Sequence, residues 1–362
     1  METPEIGIGE LLRAVDDGAS LVLLDLRNAD EHAAWRVEGR RPVTTVHVPY
    51  FDFIEDAEAA IARVPRDRDV VAICAKGGSS AMVVDLLRDA GVPARNVAGG
   101  MVAYGEHLEP VRVPAPFGLW QVNRRGKGCL SYVVVVDGEA LVVDPSRDAA
   151  WYARFVADLG AQVVGVVDTH VHADHVSGAP ALAARWGVPY AAPVEAPAGE
   201  GGLAVGSLDV RVLATPGHTP GSVGYRVGRH LLCGDTLFVR GVGRPDLGDR
   251  ADEWGRALHR TLHGPLAALA DDTIVLPAHA AGVHDAGPDG TVGARLAALR
   301  ALPEFRLASE DAFVRAITAR IAPPPAAYAE IVRANLGLAT IAPDAATEWE
   351  LGRNQCASAR VA

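Results

Sequence analysis

Between residues 169 and 175 the chain reads Thr169-His170-Val171-His172-Ala173-Asp174-His175, placing three imidazoles and a carboxylate within six residues. Imidazole nitrogens and carboxylate oxygens are the common protein donors to divalent metals. The run directly follows the apolar segment 163–167. Alternate residues there project to one side before the loop folds back, which suits chelation. More donors lie downstream: His218 in Thr215-Pro216-Gly217-His218-Thr219-Pro220-Gly221, Asp235 in Cys233-Gly234-Asp235-Thr236, and His279 in Leu276-Pro277-Ala278-His279. Each alone would read as a hydrogen-bonded residue at a strand end.

A second chemistry is written around Cys74, which ends the apolar run Val70-Val71-Ala72-Ile73 and precedes Ala75-Lys76-Gly77-Gly78-Ser79-Ser80. Successive N–H groups in a Gly-rich turn at a helix N-terminus form an anion-binding nest. Such a nest lowers a thiol pKa and can cradle a persulfide. Lys76, Gly77, Gly78 and Ser79 are the candidate binding residues. Cys129 and Cys233 read as core residues in or beside strands, and Cys356 as an exposed thiol in the tail.

The elements that must position these groups fall into two textures. Residues 1–110 alternate short strands with helices. Leu21-Val22-Leu23-Leu24 reads as a strand buried on both faces. Met82, Val83, Leu86, Leu87 and Ala90 share a helical face that Gly91 ends. This pattern predicts a small α/β unit with a parallel sheet. Val111-Arg112-Val113-Pro114-Ala115-Pro116 reads as a short stiff linker. Beyond it, segments 130–136 and 140–143 flank Asp137-Gly138, a hairpin signal. Strands at 163–167, 210–213 and 230–232 each run into a polar loop, which predicts a sheet scaffold with its site along one edge.

The order His-x-His-x-Asp-His, Gly-His, Gly-Asp and a last His resembles the metallo-β-lactamase superfamily over about residues 115–340. The resemblance implies an αβ/βα sandwich with metal at one edge. Fold alone does not give the reaction, since this superfamily hosts hydrolases, nucleases and oxygenases. Gly241-Val242-Gly243-Arg244-Pro245-Asp246-Leu247 contains a Gly-Arg-x-Asp turn similar to that of the persulfide dioxygenases, the family of the ethylmalonic encephalopathy protein. Cys129-Leu130-Ser131-Tyr132 and Pro323-Pro324-Pro325-Ala326-Ala327-Tyr328 agree with that branch.

That resemblance implies one Fe(II) per chain held by His170, His218 and Asp235, a facial triad with open positions for sulfur and O2. His172, Asp174, His175 and His279 would orient the triad and bound water, or hold a second metal. Arg244 would take a substrate carboxylate, its guanidinium fixed by Asp246. His279 is followed by Ala280-Ala281-Gly282-Val283, where eukaryotic members carry Asp-Tyr, so the likeness is to the bacterial, rhodanese-associated branch.

Residues 5–112 resemble a rhodanese domain through Asp25-Leu26-Arg27, Asp30-Glu31-His32, Val46-His47-Val48-Pro49, the Cys74 loop and Gly99-Gly100-Met101-Val102-Ala103-Tyr104. Many active rhodaneses carry Arg where Ser79 stands here, and Lys76 is the substitute cation.

These readings give a rhodanese-like domain at 1–112, a metallo-β-lactamase-fold domain at 113–342 and a tail at 343–362. The expected reaction oxidises a low-molecular-weight thiol persulfide, such as glutathione persulfide, with O2 to thiol and sulfite. The N-terminal unit would exchange sulfur with thiosulfate or sulfite. The alternative is a two-zinc thioester hydrolase of the glyoxalase II type carrying a degenerate docking module.

Composition fits. The 362 residues carry 45 acidic and 34 basic side chains, a net charge of −11, which disfavours nucleic acid. No run reaches the roughly 18 apolar residues of a membrane helix, and the acidic start lacks a signal-peptide layout. A soluble cytoplasmic protein is expected, its oligomeric state left open, a homo-oligomer included.

Overall fold

The computed structural model describes residues 3–197, 201–319, 321, 324 and 327–356. Strands Leu21–Asp25 and Asp69–Ile73 are apolar throughout because they lie inside a parallel sheet with both faces covered. Its order is Glu5–Ile6, Ala94–Val97, Asp69–Ile73, Leu21–Asp25, Thr45–His47. Helices Ile8–Asp17 and Gly100–Glu106 cover one face, and Gly78–Asp89 packs on the other.

The last of these helices is rotated from the expected face. Ser80, Val83, Val84 and Leu87 are buried, while Met82 and Leu86 are 56% and 38% exposed. Its first turn is fixed from inside, because the Ser80 hydroxyl contacts Cys74 Sγ and Asn96 Oδ1. A polar residue that periodicity places outside is thereby drawn in.

The second unit is a sandwich. Asp137 and Gly138 adopt left-handed backbone (φ 52° and 80°) and join Cys129–Val136 to Glu139–Val143 as the expected hairpin. Gln162–Val167 adds in parallel, and the five-stranded sheet is completed by Gly118–Arg124 and Glu109–Arg112. A six-stranded sheet faces it, in the order Gly201–Val205, Leu208–Ala214, Val223–Val227, His230–Gly234, Ile274–Pro277, Ala294–Arg295. Leu119, Tyr132, Val134 and Leu141 meet Val210, Val227, Leu232 and Leu276 between the sheets. Burial stabilises each such leucine or valine by roughly 1.5–3 kcal/mol. Helices Ala149–Asp158 and Ala179–Trp186 cover one outer face, and Ala251–His263 with Glu310–Thr318 the other. The result is the expected αβ/βα layering.

One sequence expectation is corrected at the junction of the two units. The supposed linker begins inside a strand: Glu109–Arg112 is the edge of the first sheet, with Val111 opposite Gln121 and Arg112 opposite Trp120. Pro110 is tolerated because an edge strand needs no donor on its outer side. The two units also touch directly. Arg125 bonds Asp16 and Glu109, the Trp35 indole donates to Gly126 O (2.9 Å), and Arg124 Nε donates to Gly105 O (2.6 Å).

The described part of the tail, residues 343–356, is packed against the rest of the chain. Pro343–Trp349 is a helix, and Glu350 and Cys356 that follow it are each 1% exposed. A buried carboxylate must be paired. Glu350 pairs with Arg124 and accepts from Val176 N–H (2.9 Å), while Arg147 bridges Glu350 and Glu106. Within segment 323–328, residues 323, 325 and 326 lie outside the described residues. Among the described residues no helix is long and apolar enough to cross a membrane.

Replacing Glu350 with Ala should strand Arg124 in the interior and cost about 3–5 kcal/mol. Denaturant unfolding of the purified variant measures this; a loss below about 1 kcal/mol, the worth of an exposed pair, would contradict the pairing.

Candidate functional site

Four strand ends converge at one edge of the sandwich. The histidine run follows Gln162–Val167, His218 follows Leu208–Ala214, Asp235 follows His230–Gly234, and His279 follows Ile274–Pro277. Glycine is required at two of the close approaches. Gly234 has φ +57°, and a Cβ there would lie 2.4 Å from Thr169 Oγ1. A Cβ on Gly243 would lie 2.0 Å from Asp235 O.

His170 Nε2 and His218 Nε2 stand 3.6 and 3.5 Å from Asp235 Oδ2. All three atoms are buried with no hydrogen-bond partner. Each such orphan would cost about 1–3 kcal/mol. Three donor atoms converging within 4.8 Å of one another are the signature of a cation site. The rings are aimed from behind. Thr169 Oγ1 lies 2.9 Å from His170 Nδ1 and donates to Asp144 (2.9 Å), and His218 Nδ1 donates to Arg244 O (2.8 Å). Burial, with His172 nearby, holds His170 well below the usual imidazole range, and burial lowers His218 also. Burial opposes the Asp235 charge, yet His279 and His170 hold its carboxyl well below the usual range. The donor set is two neutral imidazoles and a carboxylate, and it fits a divalent metal.

Of the other ligand-type residues, His279 and Asp174 are hydrogen-bonded to each other, while His172 Nδ1 and His175 Nε2 are buried without a hydrogen-bond partner. His172 Nε2 faces Asp144 and Asp168, at 3.2 and 3.6 Å. His279 spans two carboxylates, Nδ1 to Asp235 Oδ1 (2.6 Å) and Nε2 to Asp174 Oδ2 (3.0 Å). His175 Nδ1 lies 3.0 Å from Asp174 Oδ1. Burial opposes the His175 charge, but the Asp174 carboxylate raises the imidazole to about 9.

Several residues here escaped the sequence reading. Cys129, taken for core, donates its thiol to Asp174 Oδ2 (3.2 Å) beside His175 and His279. Asn335 Nδ2 donates to His172 O and His175 O (2.9 Å each), holding the loop. No spacing signals an asparagine 160 residues from its partner. Cys356 approaches Asp235 and His279, against the expected exposure. Cys233 is core, donating to Leu237 O (3.1 Å).

Arg244 is 1% exposed, with Nε and Nη2 on Asp246 (2.7 Å each) and Nη1 on Gln355 O (3.3 Å). Its backbone N–H also donates to Cys356 O (3.0 Å).

At the other site Cys74 Sγ accepts from Gly77 N–H (3.1 Å), Ser80 N–H (3.4 Å) and the Ser80 hydroxyl (3.1 Å). Gly77 caps helix Gly78–Asp89 in left-handed conformation. Lys76 and Gly78 are exposed and Ser79 half-buried, so none of the three packs into the interior. Ser80 is the residue the sequence did not single out.

A profile of the metallo-beta-lactamase superfamily matches residues 124–204 and 194–305, and one of the rhodanese-like domain matches residues 8–107. The chain belongs to the metallo-beta-lactamase superfamily and carries a rhodanese-like domain. Hydroxyacylglutathione hydrolase of Dechloromonas aromatica (strain RCB) is 40% identical over 152 residues, 39% of this chain and 53% of that protein. The human mitochondrial persulfide dioxygenase ETHE1 is 28% identical over 152 residues, 39% of this chain and 59% of that protein. The chain thus spans about half the length of these two curated relatives. ETHE1 from Myxococcus xanthus superposes with TM-score 0.51 at 26% identity, covering 64% of this chain and 100% of that one. A metallo-beta-lactamase from Staphylococcus aureus subsp. aureus COL, at 22% identity and TM-score 0.56 over 63% and 74% of the two chains, shares the fold.

Replacing Thr169 with Val keeps the shape but removes the oxygen that aims His170. Metal affinity should fall about 10–100-fold, read by competition with a chromogenic chelator. Unchanged affinity would mean that His170 is not a ligand.

Proposed function

We propose that this protein is an iron-dependent persulfide dioxygenase coupled to a sulfurtransferase module. The carrying observation is the contrast between the open triad and the closed His279, the residue that a second metal would need. Asp235 Oδ2, His170 Nε2 and His218 Nε2 are open, while both nitrogens of His279 are committed to carboxylates. That pattern supports one metal rather than two. A facial triad suits Fe(II), whose role when bound would be to bring O2 and a sulfane sulfur together. Zinc has no redox change with which to do so. The Gly-Arg-x-Asp turn and the likeness to the two ETHE1 proteins also favour this reading.

The proposed reaction is RSSH + O2 + H2O → RSH + SO3²⁻ + 2 H⁺. His170, His218 and Asp235 would hold the metal, and Thr169, Asp144 and Arg244 O would keep their donor atoms aimed. The chain between Asp174, His279 and Asp235 lies where protons released in forming sulfite could be taken up. Arg244, held flat by Asp246, would meet a substrate carboxylate once the tail withdraws. At Cys74 the thiolate would displace sulfite from thiosulfate, CysS⁻ + S2O3²⁻ → CysSS⁻ + SO3²⁻. The N–H groups of Gly77 and Ser80 are placed to stabilise that persulfide anion. A small thiol would then carry the sulfur to the metal site.

The second reading, a two-zinc thioester hydrolase, is favoured by the 40% identity to the Dechloromonas enzyme and by His175 Nε2, which is buried and unpartnered.

Asp235→Ala should lose iron and O2 uptake together while circular dichroism stays native; normal iron content would sink the ligand assignment. Cys74→Ser is nearly isosteric but cannot form a persulfide. It should fail to consume O2 when supplied with thiosulfate and glutathione, yet oxidise preformed glutathione persulfide at the wild-type rate. Retention of both activities would remove Cys74 from the pathway.

A further inference from the structure

The face of the N-terminal sheet that helix Gly78–Asp89 covers is built from apolar side chains, Leu24, Val70, Ala72, Val83, Val84 and Leu87 among them. Asn96 interrupts it. This residue stands in strand Ala94–Val97 between Glu5 and Ala72, its partners in the neighbouring strands, and is 1% exposed. A buried amide costs free energy unless both of its ends are bonded. Here Oδ1 accepts from the Ser80 hydroxyl (2.7 Å), and Nδ2 donates to Glu5 Oε1 (2.8 Å). The Glu5 carboxylate can only accept, so it fixes which way round the amide stands. Asn96 must therefore present an acceptor to Ser80.

The Ser80 hydroxyl is buried and has one proton for three acceptors: Asn96 Oδ1 at 2.7 Å, Gly77 O at 3.1 Å and Cys74 Sγ at 3.1 Å. The first distance is that of a well-formed O–H···O bond, whereas Gly77 O is long for one. We propose that Asn96, held by Glu5, is a positioning residue for Cys74 that competes with the sulfur for the Ser80 proton. With that proton on Asn96, Ser80 Oγ is an acceptor and favours the neutral S–H. Forming the thiolate releases the thiol proton to solvent and turns the Ser80 hydroxyl from Asn96 to sulfur. There it joins the Gly77 and Ser80 N–H groups, and Asn96 Oδ1 loses its donor. The chain Glu5–Asn96–Ser80–Cys74 thus ties ionisation of the sulfur to the loss of one buried hydrogen bond, which restrains the nucleophile. The competition concerns the sulfur itself; its bearing on sulfur transfer rests on the reading of Cys74 as a persulfide carrier.

A thiolate differs from a thiol in ultraviolet absorbance, and it is the form that iodoacetamide alkylates. Both properties are measured at neutral pH on the full-length protein as purified. Absorbance is taken as the difference from Cys74→Ser, and alkylation is followed by mass spectrometry of the Cys74 peptide. Glu5 is exposed, so Glu5→Ala keeps the fold while freeing the amide to turn Nδ2 toward Ser80. Glu5→Ala and Asn96→Ala should each raise the thiolate signal and the alkylation rate about 3–10-fold, the worth of one hydrogen bond. In a Ser80→Ala background, adding Glu5→Ala should change neither readout, because no hydroxyl proton remains to compete for. A purely structural role for Asn96 would move stability without producing this contrast. Wild-type values in Glu5→Ala, or an equal rise in both backgrounds, overturn the competition. Neither readout uses a sulfur donor, so the competition and the proposed sulfur transfer fail separately.

Discussion

The structure depends on an electrostatic demand: two neutral imidazole nitrogens and a carboxylate oxygen are held together, buried and unpartnered. Without a cation this arrangement costs free energy, so the surrounding fold must hold it in place. Behind His170 stand Thr169 and Asp144; behind His218 stands the Arg244 carbonyl. Asn335 and Glu350 tie down the loop from the opposite side. A metal returns the energy stored in these unsatisfied donors, which couples metal binding to stability at this edge.

The same anchoring joins parts of the chain that are distant in sequence. Arg147 links Glu106, in the last helix of the rhodanese-like unit, to Glu350 in the tail. Glu350 in turn holds the Val176 N–H directly after the histidine run. Cys74 and the metal edge nevertheless stand on separate sheets, each in its own nest of donors. Direct contact between the domains sets their mutual position.

Legibility in the sequence followed the range of the interactions. Strands buried on both faces, the Asp137-Gly138 hairpin and the histidine run are local patterns, and the structure contains all of them. The layering and the donors at strand ends were legible because a family resemblance supplied their order. What could not be read rests on long-range pairing. Ser80 turned a helix inward through Cys74, Pro110 sat in an edge strand rather than a linker, and Cys129 met residues 45 positions away. The tail was opaque for the same reason. Its periodicity is weak, and its burial depends on Arg124, which lies 226 residues earlier.

The central claim is one redox-active metal in the triad, and metal stoichiometry paired with product analysis tests it most directly. Protein purified from cells given both iron and zinc is digested for elemental analysis, and the same sample is supplied with glutathione persulfide and O2. The account predicts about one iron per chain and sulfite formed as O2 is consumed. About two zincs per chain, with thioester hydrolysis and no O2 uptake, would contradict it.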